Sequence, residues 1–284
     1  MSTIMNKSAG ALHLLPVALA LVGSAALAQR TPSAGVDAYG YTFHDSLGAQ
    51  CPAQAIDISA AAPLALTAAS GDYGARDEGA VVVPLSQPFQ LFGTPLGAFV
   101  ASSNGYLAAA DSLAAENGAD YRSACPLPAI GVNGPAAQAR IYVYHDDLSG
   151  DIGAGSMRTQ FFAQCPRASD SGAAEACTVV DWDDWGTPLA GGLAMQAVLY
   201  HTSWEIALQY RSLDPSAGAT ATVGVQDPAN ARGAAARCGG TRPIPAPGAI
   251  CVFDPRFPPG SLGSDVIFAN GFDAAATKRA LHAR

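Results

Sequence analysis

The sequence predicts an all-β protein, an antiparallel two-sheet β-sandwich whose loops are stapled by disulfides. About ten short segments rich in β-branched and aromatic residues recur at spacings of roughly 8 to 15 residues, with turn residues between them and no amphipathic helix. Glycine and proline number 30 and 20, whereas charged residues are only 13% of the chain. Such a composition suits a sandwich better than a helical bundle or a disordered chain.

Residues 1–28 are predicted to be a secretory signal peptide. Lys7 precedes an apolar run that closes on Ala26-Leu27-Ala28, a small-x-small cleavage pattern. An uncleaved membrane anchor is the alternative, but the apolar run is short and interrupted. We therefore expect a secreted protein, extracellular or periplasmic, with no membrane span after cleavage.

The net charge of -8 excludes some partners. Nucleic acids and anionic membranes attract basic surfaces, so neither is an expected partner of this acidic chain. A carbohydrate or a cell-surface component is compatible with it.

The domain boundaries are predicted from a shift in composition. Residues 29–240 hold the strand-like segments and are predicted to form the β-sandwich domain. Residues 241–284 are interpreted as a proline-rich segment and a C-terminal tail, because proline is rare in sheet interiors.

A hairpin is predicted at Asn104-Gly105. Both residues accept the positive φ that a type I′ turn requires at its two central positions. Phe99 and Val100 on one side, and Tyr106 and Leu107 on the other, are strand formers.

The clearest alternation of side chains lies in Trp204–Arg211. Trp204, Ile206, Leu208 and Tyr210 alternate with Glu205, Ala207, Gln209 and Arg211. This pattern predicts a strand with one apolar face and one face that tolerates water.

Six segments together resemble a β-sandwich domain of secreted bacterial proteins, distantly similar to the extracellular nidogen-type domain. They are the Pro88–Gly93 strand, the Ser-Ser-Asn-Gly-Tyr-Leu hairpin at 102–107, Ile141–Leu148 with its acidic pair, Val179–Trp182, the alternating hairpin Met195–Tyr210 and Ala221–Val225. The resemblance covers roughly residues 70–232 and implies a non-enzymatic or uncharacterised role, since no second catalytic domain accompanies it. Asp265–Asp273 resembles a short C-terminal ending of other exported proteins.

The six cysteines are expected to form disulfides. Their number is even and no Cys-x-x-Cys motif is present, which favours disulfides over metal ligation in an exported chain. Sequence proximity predicts the pairs Cys165–Cys177 and Cys238–Cys251, and elimination leaves Cys51–Cys125.

Asp146, Asp147 and Asp151 form a candidate calcium site around a Ser-Gly turn. Calcium takes six to eight oxygen ligands from flexible loops. The spacing does not match an EF-hand, so solvated loop carboxylates are the alternative. No other cofactor is expected.

Trp185 is a candidate carbohydrate-stacking residue, with Asp183 and Asp184 as hydrogen-bond acceptors. Trp182 and Trp204 are expected in the core. Trp185 is equally compatible with the core and with an exposed position that stacks on a sugar.

The sequence predicts a secreted, non-catalytic β-sandwich protein, a structural or ligand-binding module of the cell exterior with no catalytic residues assigned. The alternative is a secreted hydrolase that cleaves glycans through paired acids. Convergence of two carboxylates in a cleft, about 5 to 10 Å apart, would favour the hydrolase. The candidates for such a pair are Asp146, Asp147, Asp181, Asp183 and Asp184.

Overall fold

A computed structural model describes residues 39–48, 50–69, 73–123, 125–128, 138–172, 174–188, 190–213, 220–228, 232–239, 244 and 246–260. The chain divides into two units, residues 1–31 and 32–284, and all the described residues belong to the second. The predicted signal peptide and the Asp265–Asp273 motif lie outside the described residues. Within the described part there is no helix long and apolar enough to cross a membrane.

Thirteen strands are present in the described residues, and the pairings between them are all antiparallel. In chain order they are β1 (Thr42–Asp45), β2 (Thr67–Ala68), β3 (Gly79–Leu91), β4 (Thr94–Ser102), β5 (Tyr106–Ala108), β6 (Arg140–His145), β7 (Ser156–Phe162), β8 (Cys177–Thr187), β9 (Ala190–Tyr200), β10 (Ile206–Ser212), β11 (Thr222–Gln226), β12 (Gly233–Cys238) and β13 (Gly248–Phe253).

The strands form two sheets that pack face to face. Sheet A has the order β1-β13-β10-β9-β8-β7, and sheet B has the order β12-β11-β6-β5-β4-β3-β2. One core cluster joins the inner faces, with Trp182 and Leu208 from sheet A and Phe99, Ile141 and Val143 from sheet B, all fully buried. The predicted fold class is confirmed.

The β3–β4 hairpin contains two departures from regular strand geometry. β3 includes Pro84 and continues past a register irregularity between Pro84 and Phe89. The two-residue turn with consecutive positive φ is Phe92-Gly93 (φ 52° and 78°) between the paired Leu91 and Thr94. Phe92 tolerates this backbone strain because its ring is buried against other aromatic rings.

The predicted hairpin at Asn104-Gly105 is confirmed, but its turn type is not I′. Gly105 has a positive φ of 75°, whereas Asn104 does not appear among the residues with positive φ. Gly105 donates its N–H to Ser102 O at 3.2 Å, and β4 and β5 pair on either side. This is the longer hairpin loop in which a glycine closes the turn.

The proline-rich C-terminal segment was wrongly placed outside the sandwich. β13 is fully buried and lies in sheet A between β1 and β10, so the domain extends beyond residue 240. The prolines flank this strand, and its own six residues contain none. An apolar run can therefore be central even where its surroundings are rich in proline.

Two of the three predicted disulfide pairs are wrong. The disulfides are Cys51–Cys251, Cys125–Cys238 and Cys165–Cys177, and the described part of the chain has no free cysteine. Because Cys251 lies in β13 of sheet A and Cys238 ends β12 of sheet B, these neighbours in sequence are held apart.

The polar face of β10 was predicted to tolerate water but is covered. Glu205 and Gln209 are buried, and only Arg211 on that face is partly exposed. Residues 52–59, which we call the strap, cover the outer side of sheet A, and Ile56 and Ile58 pack against its apolar residues. The strap has no strand assignment.

Candidate functional site

A solvent-open groove of about 240 Å³ lies on sheet A where the strap crosses it. We call it the strap groove. Its lining residues are Ala55, Ile56, Asp57, Ile58 and Ser59 of the strap, Asp181 and Asp183 of β8, and Arg211 of β10.

The sheet wall of the strap groove is an ion-pair network centred on Arg211. Asp181 and Asp183 are two residues apart in β8, so both side chains project on the same side of the sheet. Arg211 donates to Asp181 Oδ1 at 2.6 Å and Oδ2 at 3.2 Å, and to Asp183 Oδ1 at 2.8 Å. Arg158 Nη1 approaches Asp183 from the other side at 3.7 Å.

The charges of this wall are mutually stabilised. Burial acts to lower the pKa of Arg211, but hydrogen bonds from its guanidinium to Asp181 and Asp183, and their negative charges, outweigh burial and raise it. The Arg211 side chain is still 31% exposed and that of Asp183 45%. The wall therefore presents preorganised donors and acceptors to solvent.

The strap wall is held by side-chain amides. Gln196 Oε1 accepts the Ile56 N–H at 2.7 Å, and its Nε2 donates to Ile56 O at 2.9 Å. Asp57 is exposed and accepts the Ser59 N–H at 2.9 Å, which lowers the pKa of the Asp57 carboxyl.

Two of the candidate hydrolytic carboxylates, Asp181 and Asp183, lie together in the strap groove. Both accept hydrogen bonds from the same guanidinium, that of Arg211. A glycosidase needs one carboxyl that delivers a proton and a second that faces the sugar or a water. Because Arg211 occupies both carboxylates, this arrangement suits recognition better than proton transfer.

Trp185 is a core residue and not a stacking platform. A bulge places three steps of β8 against two of β9, with Trp182 opposite Met195 and Trp185 opposite Leu193. Both tryptophans therefore face the core, and each is fully buried. The prediction that Trp182 is a core residue is confirmed.

Asp183 and Asp184 separate at this bulge. Asp184, with φ of 57°, is exposed and accepts the Ala154 N–H at 2.9 Å, whereas Asp183 lines the strap groove. Trp204, expected in the core, is only partly buried, with Arg256 stacked 4.0 Å from its ring centroid.

The calcium candidates do not form a compact group. In the described residues, the carboxylates of Asp146, Asp147 and Asp151 do not all lie within 4.8 Å of one another. Asp146 accepts from Thr220 Oγ1 at 2.6 Å, and Asp151 lies 3.5 Å from Arg76 Nε. Calcium binding stays a prediction, which a rise in melting temperature at millimolar calcium would support if Asp147→Asn abolished it.

The hairpin that carries the family resemblance is structural. Ser102, Ser103 and Asn104 are fully buried. The Asn104 side chain donates to Glu78 Oε2 at 2.9 Å and accepts the Leu148 N–H at 3.0 Å. These residues connect loops inside the protein and present nothing to a ligand.

Sequence reasoning missed Arg211, Asp57 and Gln196 as contributors to a site. Arg211 carried a signal, because it is the only cation on the polar face of β10. The roles of Asp57 and Gln196 depend on where the strap crosses the sheet, and no local pattern contains that information.

The fold and the groove together define a disulfide-bonded antiparallel β-sandwich with a polar surface site. The sequence matches the NIDO-related family over residues 59–244, more than half of the chain. The chain therefore belongs to the NIDO-related family, in agreement with the distant nidogen-like resemblance of its sequence. No curated protein and no solved structure matches it.

Proposed function

We propose that this protein is a secreted, non-catalytic β-sandwich module that binds a glycan or another component of a cell surface in the strap groove. The observation that carries the proposal is the pairing of Asp181 and Asp183 with one partly exposed arginine, Arg211.

A carbohydrate suits the chemistry of this groove. Neighbouring sugar hydroxyls can donate to carboxylates and accept from guanidinium groups, and such groups have to be held in place before the ligand arrives. Arg211 holds Asp181 and Asp183 in this way, and Asp57 and Ser59 add polar groups from the opposite wall. The affinity would come from hydrogen bonds without tryptophan stacking, because Trp185 is in the core.

A binding role is favoured over hydrolysis because Asp181 and Asp183 already accept hydrogen bonds from the protein. Asp181 also accepts a hydrogen bond from Gln196 Nε2 at 3.1 Å, in addition to those from Arg211. A carboxylate with this many donors is poorly suited to deliver or abstract a proton.

Secretion is supported by the cysteines and by the N-terminal sequence. All six cysteines are in disulfides, which form and persist in oxidising compartments. The predicted signal peptide at residues 1–28 accounts for export.

The test is a glycan array probed with the purified chain, followed by calorimetric titration of any glycan bound. We expect Asp183→Asn to weaken binding about tenfold or more, because charge-assisted hydrogen bonds are lost. Asp111→Asn is the matched control, since Asp111 is an exposed aspartate that follows β5 in sheet B. Equal losses in both variants, or cleavage of the bound glycan, would contradict the proposal.

A further inference from the structure

The strap is attached to sheet A by two glutamines that face each other across neighbouring strands. Gln196 of β9 and Gln209 of β10 are register partners, and both are buried. Gln209 Oε1 accepts the Gln54 N–H at 2.8 Å, and its Nε2 donates to Pro52 O at 3.5 Å. Each glutamine thus imitates one step of a β-ladder with its side-chain amide.

Only one of the two glutamines also reaches the opposite wall of the groove. Gln196 Nε2 donates to Asp181 Oδ1 at 3.1 Å as well as to Ile56 O at 2.9 Å. Asp181 in turn accepts from Arg211. A continuous path therefore runs from Ile56 of the strap through Gln196 and Asp181 to Arg211.

The two hydrogens of the Gln196 amide are used by different walls. Gln196 is fully buried, so if either hydrogen bond from its amide is broken, water cannot replace the lost acceptor. A change at Arg211 or Asp181 therefore alters the bond that holds the strap, and displacement of the strap alters the hydrogen bonds that Asp181 accepts.

We propose that Gln196 is a positioning residue that couples the strap to the Asp181–Arg211 wall, so that occupation of the groove and ordering of the strap are linked. This inference rests on the proposed function of the groove. Gln196 touches no ligand itself and acts through Ile56 and Asp181.

The coupling is specific to Gln196 because Gln209 makes no bond to the carboxylates that line the groove among the contacts of the described residues. The two positions have similar burial and the same side chain. Gln209→Met is therefore a matched control for Gln196→Met: both remove strap hydrogen bonds, and one also removes the bond to Asp181.

The experiment measures amide hydrogen exchange of the strap and the side-chain NMR signals of Arg211 in the full chain. We expect Gln196→Met to accelerate exchange at Ile56 about tenfold and to shift the Arg211 signals. Gln209→Met should accelerate exchange at Gln54 and leave Arg211 unchanged. Unchanged Arg211 signals in Gln196→Met, or equal shifts in both variants, would overturn the coupling.

A second variant tests the same path from its other end and covers the case in which Gln196→Met does not fold. Asp181→Asn changes no atom of Gln196 or Ile56, but it removes the negative charge that the Gln196 amide faces, so we expect faster exchange at Ile56. Exchange at the wild-type rate would overturn the coupling. Failure of every glycan to bind would contradict the proposed function alone, because the exchange and Arg211 measurements need no ligand.

Discussion

Glu78 is buried beneath the Asn104 hairpin, and no basic side chain of the described residues forms a salt bridge with it, so the stability of the fold depends on pH. Glu78 is 7% exposed, and burial raises the pKa of its carboxyl from 4.5 to about 7. Asn104 opposes this rise by donating a hydrogen bond, whereas the nearby charges of Asp77, Asp147 and Asp120 add to it. The ionised form is therefore disfavoured in the folded state.

The sign of the effect follows from proton binding. Above pH 4.5 the unfolded chain releases this proton while the folded chain retains it to about pH 7, so stability falls as pH rises through this window. With about 1.36 kcal/mol for each pKa unit, Glu78 lowers the free energy of unfolding by up to about 2.5 kcal/mol between pH 5 and pH 8.

Glu78→Gln removes the titrating group and should remove this loss. The assay is urea unfolding of wild type and variant at pH 5 and pH 8. We expect the variant to gain about 2.5 kcal/mol relative to wild type between these two conditions. Parallel pH profiles of the two proteins would refute the reasoning.

Glu175→Gln is the matched control, because Glu175 is buried to a similar extent but its carboxylate accepts several hydrogen bonds. Its carboxylate accepts the Thr202 N–H at 2.6 Å, the Ser203 N–H at 2.9 Å and the Ser203 Oγ–H at 2.7 Å. An amide cannot accept all three, so we expect a loss of about 1 to 3 kcal/mol.

Three further predictions concern the fold. A Cβ at Gly105 would lie 2.1 Å from Tyr144 O, whereas one at Gly192, of similar φ, meets nothing within 4 Å; chemical denaturation should show Gly105→Ala at least about 2 kcal/mol less stable than Gly192→Ala, and equal losses would contradict the close packing of the hairpin. Mass spectrometry of unreduced peptides should recover Cys51–Cys251 and Cys125–Cys238, and a peptide linking Cys238 to Cys251 would contradict the strand order. Trp185→Ala should destabilise the protein by about 3 to 5 kcal/mol in the same unfolding assay, and a loss below 1 kcal/mol would mean that the ring is exposed.

The fold class was predictable because it depends on local patterns. Turn residues identified the β4–β5 hairpin at Asn104-Gly105, and alternation identified β10. Bulges were not visible in the same way. The left-handed backbone at Asp184 shifts the alternation by one residue and buries Trp185. The residue types at and around Asp184 do not predict this bulge.

Long-range arrangement accounts for the remaining errors. The disulfide Cys51–Cys251 joins residues 200 apart in sequence, and it depends on β13 entering sheet A. Likewise, Gln209 alternates as a solvent-facing residue would, yet the strap covers it. Which loop covers which face is decided by tertiary packing, so the strap groove could not be derived from local pattern.

NMR titration of the full chain with a glycan that binds on the array tests most directly whether the strap groove is a non-catalytic binding site. One sample reports both the place of binding and the fate of the ligand. We expect shifts at Asp57, Asp183 and Arg211 while the glycan signals keep their anomeric pattern over days. New anomeric signals, or shifts confined to residues outside the groove, would contradict it.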